Sequence, residues 1–299
     1  MGERIQSTGH GSASSCERRQ SLRERRKRHM HLAILAVMVV LGILFVLPFI
    51  WMVIVTFEGQ ANIIPPVPPK YYIENPSLFN LKIVTENGQL LTSYINSFFV
   101  AVCSVALNLF SVLMGGYALS KGRFRGKGVI LMVILSTMMI PFETRMIPMF
   151  TMFNAAGAIN TFWPIILPTV VDGFGVLMAQ QYYDELPGEL RESAAIDGAG
   201  EARTFFGIYL PIAGPLVSTL AILTFLTSWN NFLWPLVVLT RQELRTIPLF
   251  ISSFSMENSM RYMGTTMAVA FMAIIPVMIV YLFLQKYIIQ SVATSGIKG

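Results

Sequence analysis

Charge is scarce in this sequence. Asp, Glu, Lys and Arg make up 13% of the 299 residues, against about 25% in ordinary soluble domains, so a water-soluble globular chain is excluded at the outset. Cysteine is almost absent. Cys16 sits in a basic stretch and Cys103 in an apolar one, and two such free thiols cannot make the disulfide framework of a small secreted domain. Histidine occurs only at His10, His29 and His31, all ahead of the first apolar block. No His/Cys/carboxylate cluster suggests a metal, and no nucleophile–base pair suggests catalysis, which argues against a membrane enzyme. A phosphate-binding G-x-x-x-x-G-K-[ST] loop is also missing. The stretch from Gly122 to Gly128 has a Gly and a Lys, but the spacing is wrong and no Ser or Thr follows. The chain is therefore expected to bind no cofactor and to hydrolyse no ATP itself.

Apolar residues are what the chain has in excess, at 54% with a mean hydropathy of +0.59. They fall into long blocks, and a bilayer core about 30 Å thick needs roughly 20 of them per helix. The first block, 32–57, carries no charge. It is too long for a signal-peptide core and lacks a small-x-small cleavage site, so it reads as a retained span; translation starts at Met1 and at Met30 both fit. Further blocks follow at 94–120, 128–140, 161–183, 205–239 and 264–287. The block at 128–140 is short, but 146–153 continues it past Pro141 and a polar Glu143–Arg145 step. The expectation is an all-α, polytopic membrane protein with six transmembrane helices.

Lys and Arg orient it. With six spans and the N-terminus inside, the inner pieces 1–31, 121–127, 184–204 and 285–299 hold 16 of the 22 basic residues. The outer pieces hold Lys70, Lys82, Arg145, Arg241, Arg245 and Arg261. Both termini are thus expected in the cytoplasm (N-in/C-in). The basic run from Arg18 to Arg28 becomes an anchor on the lipid bilayer, worth about 1 kcal/mol per basic residue near anionic headgroups, and explains the net charge of +6 without nucleic acid. This reading divides the chain into a basic cytoplasmic tail at 1–31, whose Ser- and Gly-rich residues 1–20 look disordered, and a first transmembrane helix at 32–57. An extracytoplasmic Pro-rich loop at 58–93, a five-helix core at 94–287 and a cytoplasmic tail at 288–299 follow. The prolines Pro65, Pro66, Pro68 and Pro69 read as a stiff spacer or a docking rim.

The inner piece at 184–204 is the informative one. Pro187 suits the first turn of a helix, with Glu189 near its positive end. Leu190, Ala194 and Ile196 give it a partly apolar side, and Gly198 is placed to end it in a left-handed conformation. A second helical start follows near Gly200. Small residues (Ser193, Ala194, Ala195) let another backbone approach, which would make a knob for a partner's socket; an amphipathic connector resting on headgroups fits the same residues. Here a resemblance enters. The pattern E-A-A-x3-G-x9-I-x-L-P is similar to the signature of the membrane subunits of bacterial ATP-binding-cassette (ABC) importers. It falls on Glu192-Ser193-Ala194, Gly198, Ile208, Leu210 and Pro211, with Asp197 beside the glycine. Ser193 stands where that family usually has its first alanine. Asn96-Ser97, Gly116-Tyr117-Ala118, Pro141-Phe142, Leu167-Pro168, Phe174-Gly175 and the run from Trp229 to Pro235 also resemble carbohydrate-type permeases, over about residues 94–240. Within them the chain looks like the maltose-type second, six-span subunit, with Trp-Asn-Asn where Trp-Asn-Asp is common.

The resemblance implies a type I ABC importer-like fold in the bacterial cytoplasmic (inner) membrane. It implies a heterodimer with a second permease subunit, two ABC ATPase subunits that carry ATP and Mg, and an extracytoplasmic solute-binding protein. The 184–204 loop would be the coupling helix that fits the ATPase, whose closure turns the membrane subunits outward-facing. A stand-alone secondary transporter or channel is the alternative, but internal repeats and several buried ionisable residues, its usual marks, are not evident. Along a pathway Asp172 stands out as a charge near the middle of its block, ready to accept hydrogen bonds from substrate hydroxyls or pair with a cationic substrate, or else to be satisfied by a neighbouring helix or protonated. Trp229, Asn230, Asn231 and Trp234 combine aromatic faces with amides, as sugar-contacting surfaces do, while Asn230 could instead serve backbone groups freed by Pro235. Glu143 and Arg145 are expected at the outer surface, paired with each other or with the binding protein. The eighteen methionines read as helix packing. The cargo reads as a sugar or related polar solute, with oligosaccharide, monosaccharide and glycerol-phosphate types left open.

Overall fold

The computed structural model describes residues 10–63, 68–86, 88–258 and 262–296. Among them there is no β-strand, only a single antiparallel bridge between Glu58 and Pro76. The first helix, α1 (His10–Phe57), is followed by a short α2 (Phe79–Glu86) and the long α3 (Gly88–Lys121). Then come α4 (Lys127–Met138), α5 (Phe142–Ala155) and α6 (Trp163–Ile166), which passes through a 3-10 turn at Leu167–Val170 to α7 (Gly173–Glu185). A short α8 (Glu189–Ile196) precedes α9 (Glu201–Thr204), a π turn at Phe205–Tyr209 and α10 (Leu210–Ile212). The chain closes with α11 (Gly214–Trp229), α12 (Leu233–Val238), α13 (Ile247–Asn258) and α14 (Met263–Gly296).

Four stretches are long and apolar enough to cross a bilayer: Met30–Phe57, Gly88–Lys121, Trp163–Glu185 and Met263–Phe283. Two bent pairs raise the number to six among the described residues if each is one span. In one, α4 and α5 meet at 100° across Pro141; in the other, the helix from Glu201 to Ile212 meets α11 at 80°. Both breaks have sequence causes. Pro141 cannot donate a helical hydrogen bond, nor can Pro215 in the first turn of α11.

Three findings depart from the sequence expectations. The helix of α1 reaches back to His10, through residues expected to be disordered, because Leu, Arg, Gln, Glu and Lys are good helix formers and extend a helix already nucleated by the apolar block. Residues 1–9 and the side chains of the basic run before Arg28 lie outside the described residues. The block at 161–183 is not one continuous helix, because the backbone opens at Val171 and Asp172 between the 3-10 turn and α7. The outer loop, read as a connector over 58–93, holds α2 and the start of α3 and is tied by hydrogen bonds. Glu58 accepts from the backbone N–H groups of Gln60, Glu74 and Asn75, and Asn80, fully buried, donates to the carbonyls of Thr56 and Glu58. Asn62 links Asn80 to the start of α14 at Thr265. Pro65, Pro66 and Val67 of the proline segment lie outside the described residues.

α3 is the axis of the fold and contributes to all three apolar clusters. Ala101 packs with Phe225, Trp229, Phe250 and Val269; Val112 and Tyr117 pack with Ala179, Tyr183, Tyr209 and Leu220; Val100 packs with Ile165, Trp234, Val238 and Leu249. Its approach to α7 is close enough to require glycine. A Cβ on Gly116 would stand 2.4 Å from the Cβ of Ala179 and 2.8 Å from the backbone N of Gln180. Small residues at such crossings let helices meet by van der Waals packing, the main attraction available in a lipid environment.

Candidate functional site

The short helix α8 hangs between glycines. Gly188 precedes it, and its C-terminus closes with Gly198 at φ 75°. The N–H of Gly198 donates to Ala195 O at 3.1 Å and that of Ala199 to Ala194 O at 2.9 Å, the paired closure that a left-handed glycine permits. Glu189 and Glu192 in the first turn suit the positive end of the helix. Successive residues turn by about 100°, so Leu190 and Ala194 share one face while Ile196 points away from it. Leu190 packs on the cluster of Tyr183, Phe205 and Tyr209, and Ala194 is buried. Ile196 is 86% exposed. The expected apolar side of Leu190, Ala194 and Ile196 is thus corrected to two sides, one facing inward and one bare.

The remaining residues of the sequence pattern divide the same way. Glu192, Ser193, Asp197 and Gly198 are exposed with Ile196, whereas Ile208 and Leu210 are half-buried against the tyrosine cluster. Pro211 is exposed and opens α10, just ahead of the 80° bend. Lys121, at the end of α3, donates to Leu186 O at 2.7 Å and holds the start of the segment. Across the Gly198 turn, the Arg191 guanidinium grips both carboxylate oxygens of Glu201, and the Tyr117 hydroxyl on α3 donates to the same carboxylate at 2.9 Å. That link was not read from the sequence, since nothing in the spacing of Tyr117, Arg191 and Glu201 brings them together.

Asp172 sits at the opening between the 3-10 turn and α7. Its Oδ1 accepts from Gly175 N–H at 2.9 Å, capping α7, and its Oδ2 accepts from Asn108 Nδ2 at 3.1 Å. Asn108, itself 2% exposed, also donates to Thr169 O and accepts from Thr224 on α11. Ser111 donates to Val170 O at 2.9 Å. One amide on α3 thus joins the broken segment to α11, and both carboxylate oxygens of Asp172 have partners within the chain.

The tryptophans do not form an accessible surface. Trp229 is buried, stacked on Phe225 at 5.5 Å between ring centroids. Trp234 is buried too, and its indole N–H donates to Pro164 O at 2.7 Å. The expectation of a sugar-facing aromatic pair is corrected for both, because each ring fills a gap between helices within this chain. Asn230 is exposed, yet its side-chain amide donates to Leu226 O in the last turn of α11, and Asn231 is half-buried with its N–H on Ser228 O. The helix breaks at these asparagines rather than at Pro235, which lies in the first turn of α12. Asn160, unremarked in the sequence, is left-handed at φ 61°, and its side-chain oxygen accepts from Thr240 and Arg241. Glu143 and Arg145 form no ion pair with each other; the Arg145 guanidinium lies over the Phe142 ring at 5.9 Å.

Comparison with known proteins supplies the family. Residues 107–294 match the model of the family described as binding-protein-dependent transport system inner membrane component. The arabinooligosaccharides transport system permease protein AraQ of Halalkalibacterium halodurans is 38% identical over 73% of this chain and 77% of its own length. The lactose transport system permease protein LacG of Rhizobium radiobacter is 32% identical over 84% of this chain and 91% of its own. Among solved structures, a chain of a bacterial ABC transporter involved in the import of the acidic polysaccharide alginate matches with a TM-score of 0.78 at 24% identity, over 88% of this chain and 98% of that one. The fold is that of a type I ABC importer permease. A multi-pass helical chain whose broken spans lean on polar side chains of one apolar helix, and whose short glycine-flanked helix leaves Ile196 bare, therefore belongs to the binding-protein-dependent transport system inner membrane components.

Proposed function

We propose that this chain is one of two membrane-spanning subunits of a bacterial inner-membrane ABC importer for sugars, most simply oligosaccharides. The names of its relatives support the cargo class, with arabinooligosaccharides and lactose both represented. In this reading the chain crosses the membrane six times with both termini in the cytoplasm, each bent pair forming one span. It pairs with a second permease subunit, receives solute from an extracytoplasmic binding protein and is driven by two ATPase subunits, which carry the ATP and Mg. Rigid-body movement of the membrane subunits would alternate access between the two faces.

One observation carries the assignment of the coupling surface. α8 has a C-terminus closed by two backbone hydrogen bonds and an anchored inner face, yet presents Ile196 almost wholly bare beside Glu192, Ser193, Asp197 and Gly198. An exposed apolar side chain at the tip of a fixed helix suits a cleft in a partner, where burying an isoleucine yields about 1.5–3 kcal/mol. Asp172 is assigned to holding the opening in its span. Asn230 and Asn231, at the exposed break between α11 and α12, remain the candidates for facing solute. Copurification in mild detergent tests the coupling assignment. Wild-type chain should bring down a second permease and an ATPase, and Ile196→Glu should lose the ATPase while keeping the permease. An Ile196→Glu chain that retains a fully stimulated ATPase would remove α8 from the docking surface.

A further inference from the structure

The Gly198 turn raises a mechanical difficulty. Under the proposed coupling role α8 must pass the ATPase's movement to the membrane helices, yet it is suspended between Gly188 on one side and Gly198 and Gly200 on the other. Glycine is the residue least able to resist bending. Leu190, Ala194 and the Lys121 contact hold its inner face and its start, but its far end would hinge at Gly198 unless something ties it across the turn.

The structure assigns that tie to Arg191, Glu201 and Tyr117, and we propose that Glu201 is a positioning residue that makes α8 and α3 move as one body. Arg191 approaches the carboxylate with Nε at 3.0 Å from Oε1 and 3.4 Å from Oε2, and its Nη2 also donates to Oε1. A guanidinium fork on a carboxylate fixes direction as well as distance. Tyr117 completes the link from the membrane side. Its hydroxyl donates to Oε2 at 2.9 Å, and its ring is wedged among Phe205, Tyr209 and Tyr183, with centroids 5.2, 4.9 and 5.9 Å away. The carboxylate therefore joins three parts of the chain: the coupling helix, the segment after the glycine turn, and the central span. Exposed ion pairs contribute little to net stability, and the Glu201 side chain is 62% exposed. Its role is geometric, and removing it leaves the fold standing with a loose joint.

The inference rests on α8 being the coupling helix, and the test separates the two. The complete complex, with its second permease and ATPases, is reconstituted in liposomes, and solute moved per ATP hydrolysed is measured. Arg191→Glu and Glu201→Arg should each still assemble with the ATPase but lower that ratio by at least about fivefold, the lower end of ordinary coupling between sites. The exchanged pair, Arg191→Glu with Glu201→Arg, should restore most of it, which general destabilisation would not do. Tyr117→Phe keeps the ring packing and cuts only the link to α3, so it should lower the ratio by a smaller factor. Ile196→Glu serves as the control. If it fails to hold the ATPase while the single clamp variants assemble and transport normally, the clamp inference falls and the coupling assignment survives. If Ile196→Glu also transports normally, the coupling assignment itself fails. Should a single variant not assemble, the exchanged pair decides: rescue of assembly and ratio supports the clamp, and no rescue overturns it.

Discussion

Replacing Asn108 by Leu removes one amide from the middle of the bundle without changing its volume much. Three hydrogen bonds go with it: to Thr169 O at 2.9 Å, to Asp172 Oδ2 at 3.1 Å, and from Thr224 at 2.9 Å. Side-chain hydrogen bonds between membrane helices average about 0.6 kcal/mol and reach about 1.7. Three of them give about 2 kcal/mol, and the loss should approach the upper figures because a buried carbonyl and part of a carboxylate are left without a partner. The expected destabilisation is thus about 2–4 kcal/mol. Graded unfolding in mixed detergent micelles, followed by the fluorescence of the buried Trp229 and Trp234, would read it. A double-mutant cycle with Thr224→Val isolates one bond and should return about 0.5–1.5 kcal/mol of coupling. Asp172→Asn has its own signature: it should change stability with Asn108 present and little once Asn108 is Leu. An Asn108→Leu loss under about 0.5 kcal/mol, or strict additivity with Asp172→Asn, would refute the network. If Asp172→Asn instead altered the range of solutes carried at unchanged stability, the carboxylate would belong to the pathway after all.

Four further outcomes are expected. Gly116→Val should cost about 1–3 kcal/mol in the same unfolding assay, since its first carbon already overlaps Ala179. Gly115→Ala, whose Cβ would meet only Val176 at 3.6 Å, should be nearly neutral. Ile196→Glu should leave the unfolding midpoint nearly unchanged, because the side chain is almost fully exposed, while abolishing ATPase copurification. The outer loop should be sensitive to acid. Burial pushes the Glu58 carboxyl up, but backbone N–H groups of Asn75, Glu74 and Gln60 outweigh it and hold the group below its ordinary 4.5. A lowered value in the folded loop means the clasp is fully formed above about pH 4.5 and opens as pH falls through the depressed value. Protection factors at Glu74 and Asn75, corrected for the intrinsic exchange rate, should therefore be constant from pH 7 to about 5, fall in stronger acid, and be lower and independent of pH in Glu58→Gln.

How much of this was legible in the sequence varied with the range of the interaction. The apolar blocks, the inner loop and the stop at Gly198 are local features, set by composition and by the conformation one residue permits. The opening at Val171 and Asp172 was not legible, since its stabilising donors come from Asn108 and Ser111, more than fifty positions earlier and inconspicuous within an apolar block. Trp229 and Trp234 misled because an aromatic beside an amide looks the same in sequence whether it faces a solute or a neighbouring helix. Ile196 was read on the wrong side because apolar character was weighed without following the 100° turn. The Arg191–Glu201–Tyr117 link needed the fold, because one of its three members comes from a different span.

Four polar residues along α3 hold main chain as well as, or instead of, side chains. Asn96 holds Glu243 O and Arg245 O, Ser97 receives Ile247 N–H, Asn108 holds Thr169 O, and Ser111 holds Val170 O. Every amino acid carries a carbonyl, so the residues at 169, 170, 243 and 245 can be exchanged without losing these bonds, whereas the donors on α3 cannot. The fold thereby separates a constant spine from replaceable strips of chain lying against it. Substitutions in those strips should leave the hydrogen-bonded frame standing, and substitutions in the spine should not.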